Sequence, residues 1–151
     1  RDAYPGEIKI LYAGRLSKEK GVDLLAEAFL RAHATDPRLH LLLAGGGPEE
    51  EELRARLGDA ASFLGWLGGE HLAVAYASAD VFLFCSVTDT YGQVILEAGA
   101  SGLPVVAIAE GGPAALVENR HTGLLCRPDA DHISGAVHLG KGVIERDIEA
   151  K

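Results

Sequence analysis

Apolar residues in this chain fall in short unbroken runs, and between the runs they recur at spacings of three and four. Ile8 to Gly14 is the first run and predicts a buried strand ending in glycine. From Lys20 to Ala34 the pattern changes to helical, with Val22, Leu25, Ala28, Phe29 and Ala32 on one face. Leu39 to Ala44 is a second strand, stopped by Gly45-Gly46-Gly47-Pro48. Glu49 to Glu52 opens the next helix, with Pro48 suited to its first turn. Further strands are expected at Ser62–Gly65, Asp80–Cys85, Pro104–Ala109 and Gly123–Cys126. Helices are expected at Glu70–Ala77, Gly92–Ala100 and Pro113–Glu118, with a last helical segment from Ala130.

Strand and helix alternate through the chain, and the strands are apolar almost throughout, as strands covered on both faces must be. The pattern predicts an α/β fold: a Rossmann-like, doubly wound parallel sheet of about six strands. Ligands of such sheets bind beyond the carboxyl ends of the strands. The loops after Gly14, Ala44, Gly65, Cys85 and Ala109 are therefore the ones that can carry chemistry.

Composition narrows the classes. The chain has 151 residues, of which 48% are hydrophobic and 24% charged, so a real core can form. The net charge of −8 argues against a nucleic-acid binder and against a polybasic membrane surface. Cys85 and Cys126 lie in apolar runs and read as reduced, buried thiols. No run is long and apolar enough to span a bilayer, and a cytoplasmic location is expected. The absence of methionine suggests a piece of something longer.

Against this acidic background, Arg15 follows the first strand and Lys20 opens the next helix. The helix dipole repels cations there unless an anion lies between them, and a phosphate or diphosphate would fit. Solvated surface cations are the plainer alternative. Gly45, Gly46 and Gly47 allow close backbone approach to a ligand, or only a tight turn. Neither loop spells the dinucleotide fingerprint G-x-G-x-x-G. Glu49 to Glu52 reads as a solvated first helical turn, not a metal site.

The stretch Ser86 to Glu97 is the most informative. Asp89 lies in the loop after the fourth strand, and Glu97 lies in the following helix. Thr90, Tyr91 and Gly92 offer backbone N–H groups between them. Two carboxylates for vicinal hydroxyls, with a phosphate-binding turn between, suit a nucleotide diphospho-sugar. Taken singly, Asp89 reads equally as a cap and Glu97 as a surface carboxylate.

Six strings in order, AGRLSKEKG at 13–21, LLLAGGGP at 41–48, FLGW at 63–66, ASADVFLFCS at 77–86, TDTYGQVILEAGASGLPVVA at 88–107 and EGGPAALVENRHTGLL at 110–125, carry a resemblance. The chain resembles the C-terminal, donor-binding domain of GT-B-fold glycosyltransferases of family 4, the retaining nucleotide-sugar enzymes. The resemblance implies a single domain over 1–151, one half of a GT-B fold, whose N-terminal acceptor domain is absent. It places Arg15 and Lys20 on the donor diphosphate and Glu97 on the ribose, and it turns Asp89 toward the transferred sugar. Asp89, Arg15 and Lys20 would be the catalytic set. Gly14 and Gly46 would belong to the donor site, the backbone of Tyr91, Gly92 and Gln93 would approach the phosphates with Thr90, and Gly65 and Trp66 would line the base pocket. Asp89 and Ala115 depart from the family, which usually has glutamate at the first position and often near the second.

The resemblance also implies sugar transfer from a GDP- or UDP-sugar without metal or other cofactor. Its wording is most like bacterial mannosyltransferases using GDP-mannose. The acceptor, and any membrane association, would belong to the missing half. His121 and His132 read as surface histidines. Two other functions stay open: a half-domain of a nucleotide-sugar epimerase, and a non-catalytic nucleotide-sugar-binding module.

Overall fold

The computed structural model describes residues 7–84, 105–108 and 123–126. Six strands form one parallel sheet: β1 (Ile8–Ala13), β2 (Leu39–Ala44), β3 (Ala61–Gly65), β4 (Val81–Phe84), β5 (Val105–Ile108) and β6 (Gly123–Cys126). Among the described residues the α-helices are α1 (Val22–Thr35), α2 (Glu50–Leu57) and α3 (Gly69–Ser78). The expected helices at 92–100, 113–118 and from 130, and both cysteine side chains, lie outside the residues whose side chains are described.

The strand order is β3-β2-β1-β4-β5-β6. The chain builds outward from β1 to β3, then returns past β1 to start β4. Right-handed crossovers put the β3–β4 connection on the sheet face opposite α1 and α2. This explains why Ile10, Leu11 and Tyr12 are all fully buried although successive side chains point to opposite faces. It also sets a switch point between β1 and β4, where neighbouring connections leave in opposite directions and open a crevice.

β1 and β2 pair over their whole length, from Ile8 opposite Leu39 to Ala13 opposite Ala44. β2 and β3 stay in step until Leu43, after which Ala44 pairs with Gly65 and Leu64 is skipped. The irregularity turns the end of β3 toward the loop after β2. At the other end Asp80 fastens β4 to β1. Its backbone N–H donates to the Lys9 carbonyl at 2.8 Å, and its carboxylate accepts the Lys9 backbone N–H at 2.8 Å. Those two bonds hold Asp80 just before β4 rather than in it.

The apolar face expected of α1 is buried throughout, joined by Ala26. The start of the helix differs from expectation. Lys20 does not open α1 but closes a 3-10 turn, Lys18–Lys20, and its N–H donates to Ser17 O at 3.1 Å. Gly21, at φ 70, ends that turn and caps α1, so an L side chain at Gly21 would be strained. Pro48 likewise sits in the turn before α2, and the helix begins at Glu50.

Candidate functional site

The site is built from loops at the carboxyl ends of β1, β2 and β3. These strands are neighbours, so their loops lie side by side. The first two loops are sewn together by main chain: Gly14 N–H donates to Ala44 O at 2.9 Å, Leu16 N–H to Gly46 O at 3.0 Å and Glu49 N–H to Leu16 O at 3.0 Å. The Tyr12 hydroxyl donates to the Arg15 carbonyl at 2.7 Å and fixes the same turn from below.

Packing of these loops explains two of the three consecutive glycines. A Cβ on Gly45 would stand 1.8 Å from Gly14 O, and one on Gly47 would stand 2.4 Å from Leu16 O. Both neighbours are backbone and cannot rotate away. Close approach at Gly45 and Gly47 is thus between two loops of the protein. Gly46 differs: its Cβ would meet the Trp66 indole nitrogen at 3.0 Å. Gly45 also bridges to Gly65, so the third loop joins the same platform.

Two cations stand on this platform. Arg15 is exposed and Lys20 is half-buried. Among the described arginines, Arg31, Arg38, Arg54 and Arg56 each pair with a carboxylate, whereas Arg15 has no such partner. An unpaired guanidinium on an acidic chain, beside a glycine loop at a sheet's carboxyl end, is suited to a bound anion. Gly14, Arg15, Lys20, Gly46, Gly65 and Trp66 are therefore gathered at one end of the sheet. Asp89, Thr90, Tyr91, Gly92, Gln93 and Glu97 lie outside the described residues.

Sequence reasoning missed the scaffold beneath the cations, namely Tyr12, the Leu16 backbone and the Gly45–Gly65 bridge. The GGG run carried a signal of close approach but did not reveal the partner. The acidic run also acquires a neighbour: carboxylate oxygens of Asp23, Glu49 and Glu52 lie within 4.8 Å of one another on the surface. Lost hydration, then the hydrogen bond to Glu52, pushes Glu49 above its ordinary value, while Lys18 opposes this.

A cavity of about 460 Å³ lies elsewhere, at the amino ends of β1 and β2, between Glu7, His33, Arg38, His40 and Asp59. It faces away from the strand ends where such sheets bind ligands. Burial first, then the charges of His33 and Lys9, hold His40 below the ordinary imidazole value. The His40 Nε2 lies 2.8 Å from Ser62 Oγ.

This is a doubly wound α/β domain, and comparison with known proteins agrees on that fold. Residues 7–138 match the family model described as glycosyl transferases group 1, and the chain belongs to that family. It is 41% identical over 114 residues to a GDP-mannose-dependent alpha-mannosyltransferase of Corynebacterium glutamicum, covering 76% of this chain and 26% of that protein. It is 26% identical, at a TM-score of 0.74, to the pneumococcal O-GlcNAc transferase GtfA solved with UDP and GlcNAc, covering 92% of this chain and 28% of that one. The C-terminal domain of the glycosyl transferase group 1 protein LpcC from Francisella tularensis shares the fold at a TM-score of 0.81 and 19% identity, with 96% of this chain and 88% of that one covered. The chain spans about a quarter of the length of the curated relatives it matches. The fold is that of one half of a GT-B glycosyltransferase. Among the described residues no helix is long and apolar enough to cross a membrane.

Proposed function

We propose that this chain is the donor-binding domain of a retaining glycosyltransferase and holds a nucleotide diphospho-sugar at the carboxyl ends of β1 to β4. The observation that carries it is Arg15, without a carboxylate partner among the described residues, on a loop hydrogen-bonded to the glycine turn beside the switch point. Arg15 and Lys20 bind the diphosphate and stabilise its charge as it departs, with Gly14 and Gly46 beside them. The N–H groups of Thr90, Tyr91, Gly92 and Gln93 add to that stabilisation. Glu97 holds the ribose, Asp89 faces the transferred sugar, and the turn at Gly65 and Trp66 receives the base. No metal is required, because the cations and N–H groups supply the positive charge. The chain acts as a single domain over 1–151. The acceptor binds to a second domain across a cleft, and the enzyme works in the cytoplasm. The 41% identity to a GDP-mannose-dependent enzyme supports GDP-mannose as donor.

Calorimetric titration of the 151-residue chain with GDP, UDP, GDP-mannose and inorganic diphosphate tests this. Arg15→Ala and Lys20→Ala should each weaken every one of these ligands by about 1–3 kcal/mol with the fold intact. Glu97→Gln should weaken GDP and GDP-mannose alike, whereas Asp89→Asn should affect only GDP-mannose. Unchanged affinity in both cation variants would refute the diphosphate assignment. Equal losses of GDP in Glu97→Gln and Asp89→Asn would refute the division between ribose and sugar.

A further inference from the structure

Tyr12, the last residue but one of β1, is fully buried, and a buried tyrosine needs a partner for its hydroxyl. That partner is the Arg15 carbonyl at 2.7 Å, three residues further on. The ring reaches it by lying against Gly14. A Cβ at Gly14 would stand 3.0 Å from the hydroxyl oxygen and 3.4 Å from the ring carbon that bears it. Packing alone does not call for the hydroxyl. A phenylalanine would fill the same space, as Phe29 and Phe82 do elsewhere in this core.

The bond matters through the other end of the same peptide unit. The Arg15 carbonyl and the Leu16 N–H belong to one planar group, and the Leu16 N–H donates to Gly46 O at 3.0 Å. Both polar atoms of that peptide are therefore held, one by a core side chain and one by the loop after β2. Just upstream, the Gly14 N–H donates to Ala44 O at 2.9 Å. The Arg15 Cα thus lies between two tethered stretches of main chain, and they set the direction in which its side chain leaves the loop. Without the Tyr12 hydroxyl, the Arg15 carbonyl must turn toward water to regain a partner, and the side chain turns with it.

We propose that Tyr12 is a positioning residue for donor binding: its hydroxyl, acting through the Arg15 carbonyl, aims the guanidinium at the diphosphate position before the ligand arrives. The inference rests on the donor-binding reading above and deepens it, naming the core side chain on which the affinity contributed by Arg15 depends. Arginine loses much rotamer freedom when it grips an anion. A main chain fixed in advance lowers the ordering cost that binding must offset.

Inorganic diphosphate and GDP are titrated calorimetrically into the 151-residue chain, into Tyr12→Phe, and into Arg15→Ala and Lys20→Ala with and without Tyr12→Phe. Tyr12→Phe should weaken both ligands about three- to tenfold. With Arg15→Ala already in place, the same substitution should change either affinity by no more than about twofold, because the group it acts through is gone. With Lys20→Ala in place its full effect should persist. Urea unfolding should show the same cost of Tyr12→Phe with and without Arg15, so a general loosening of the fold cannot produce this pattern. Amide hydrogen exchange of the parent chain needs no variant to fold: the Leu16 N–H should exchange slowly before any ligand is added. If Tyr12→Phe binds as the parent does, or loses as much affinity without Arg15 as with it, the positioning proposal is overturned and the donor-binding reading stands. A Leu16 N–H that exchanges freely until diphosphate is added overturns it in the same way. If the parent chain binds neither ligand, both are overturned.

Discussion

Gly45→Ala tests whether the seam between the first two loops explains the glycine run. The new Cβ would stand 1.8 Å from the Gly14 carbonyl oxygen and 2.9 Å from its carbon, whereas real Cβ contacts essentially never fall below 3.0 Å. Gly45 also has φ +152, so the alanine is strained even without the clash. The obstruction is backbone on both sides, and relief requires the loops to part by more than an ångström. The bonds in the way are Gly14 N–H to Ala44 O and Leu16 N–H to Gly46 O. Two such bonds contribute about 1 kcal/mol each, and a forced backbone conformation adds roughly 1–3 kcal/mol. The expected destabilisation is about 3–5 kcal/mol. The control is Gly68→Ala: Gly68 has φ −119 and no atom within 4 Å of the added carbon, so its cost should stay below about 1 kcal/mol. Urea unfolding of both variants and the parent, followed by circular dichroism, measures the difference. A Gly45→Ala protein within about 1 kcal/mol of the parent would show that the loops separate at little cost, and the account of this seam would fail.

Asp80→Ala should cost about 2–3 kcal/mol in the same unfolding assay, because it removes the buried carboxylate that accepts the Lys9 N–H; Asp80→Asn, which keeps an acceptor, should cost less. His40 should make stability fall as pH drops. Its folded value is depressed below 6.5, so the unfolded chain takes up a proton first, and stability present above 6.5 is lost as pH falls from there through the folded value. Unfolding free energies measured from pH 8 to 5 should decline less steeply in His40→Gln than in the parent, and parallel curves would exclude His40 as the cause.

The strands were legible because each is a run of apolar residues with both faces to cover, and β6 was read to the residue. Strand order was legible only as a class: alternating strands and helices imply a doubly wound sheet, but do not say that β4 lies beside β1. Local backbone geometry was less legible than element type. Lys20-Gly21 read as the start of the helix whose apolar face begins at Val22, while the left-handed Gly21 that separates Lys20 from α1 is a matter of φ alone.

For the site, the sequence by itself determined which residue types stand at which strand ends. Arg15, Gly45 to Gly47 and Trp66 each follow an apolar run, and that placement is fixed by chain order. What the sequence could not determine is which loop touches which, because those contacts are backbone to backbone and carry no side-chain identity. The glycines after β2 looked like a cradle for a ligand. In the folded chain Gly45 and Gly47 receive the backbone of the Arg15 loop, and Gly46 receives the Trp66 indole. Tertiary structure alone decided this, since parallel pairing of β1, β2 and β3 sets three loops, distant in sequence, about 5 Å apart at each step.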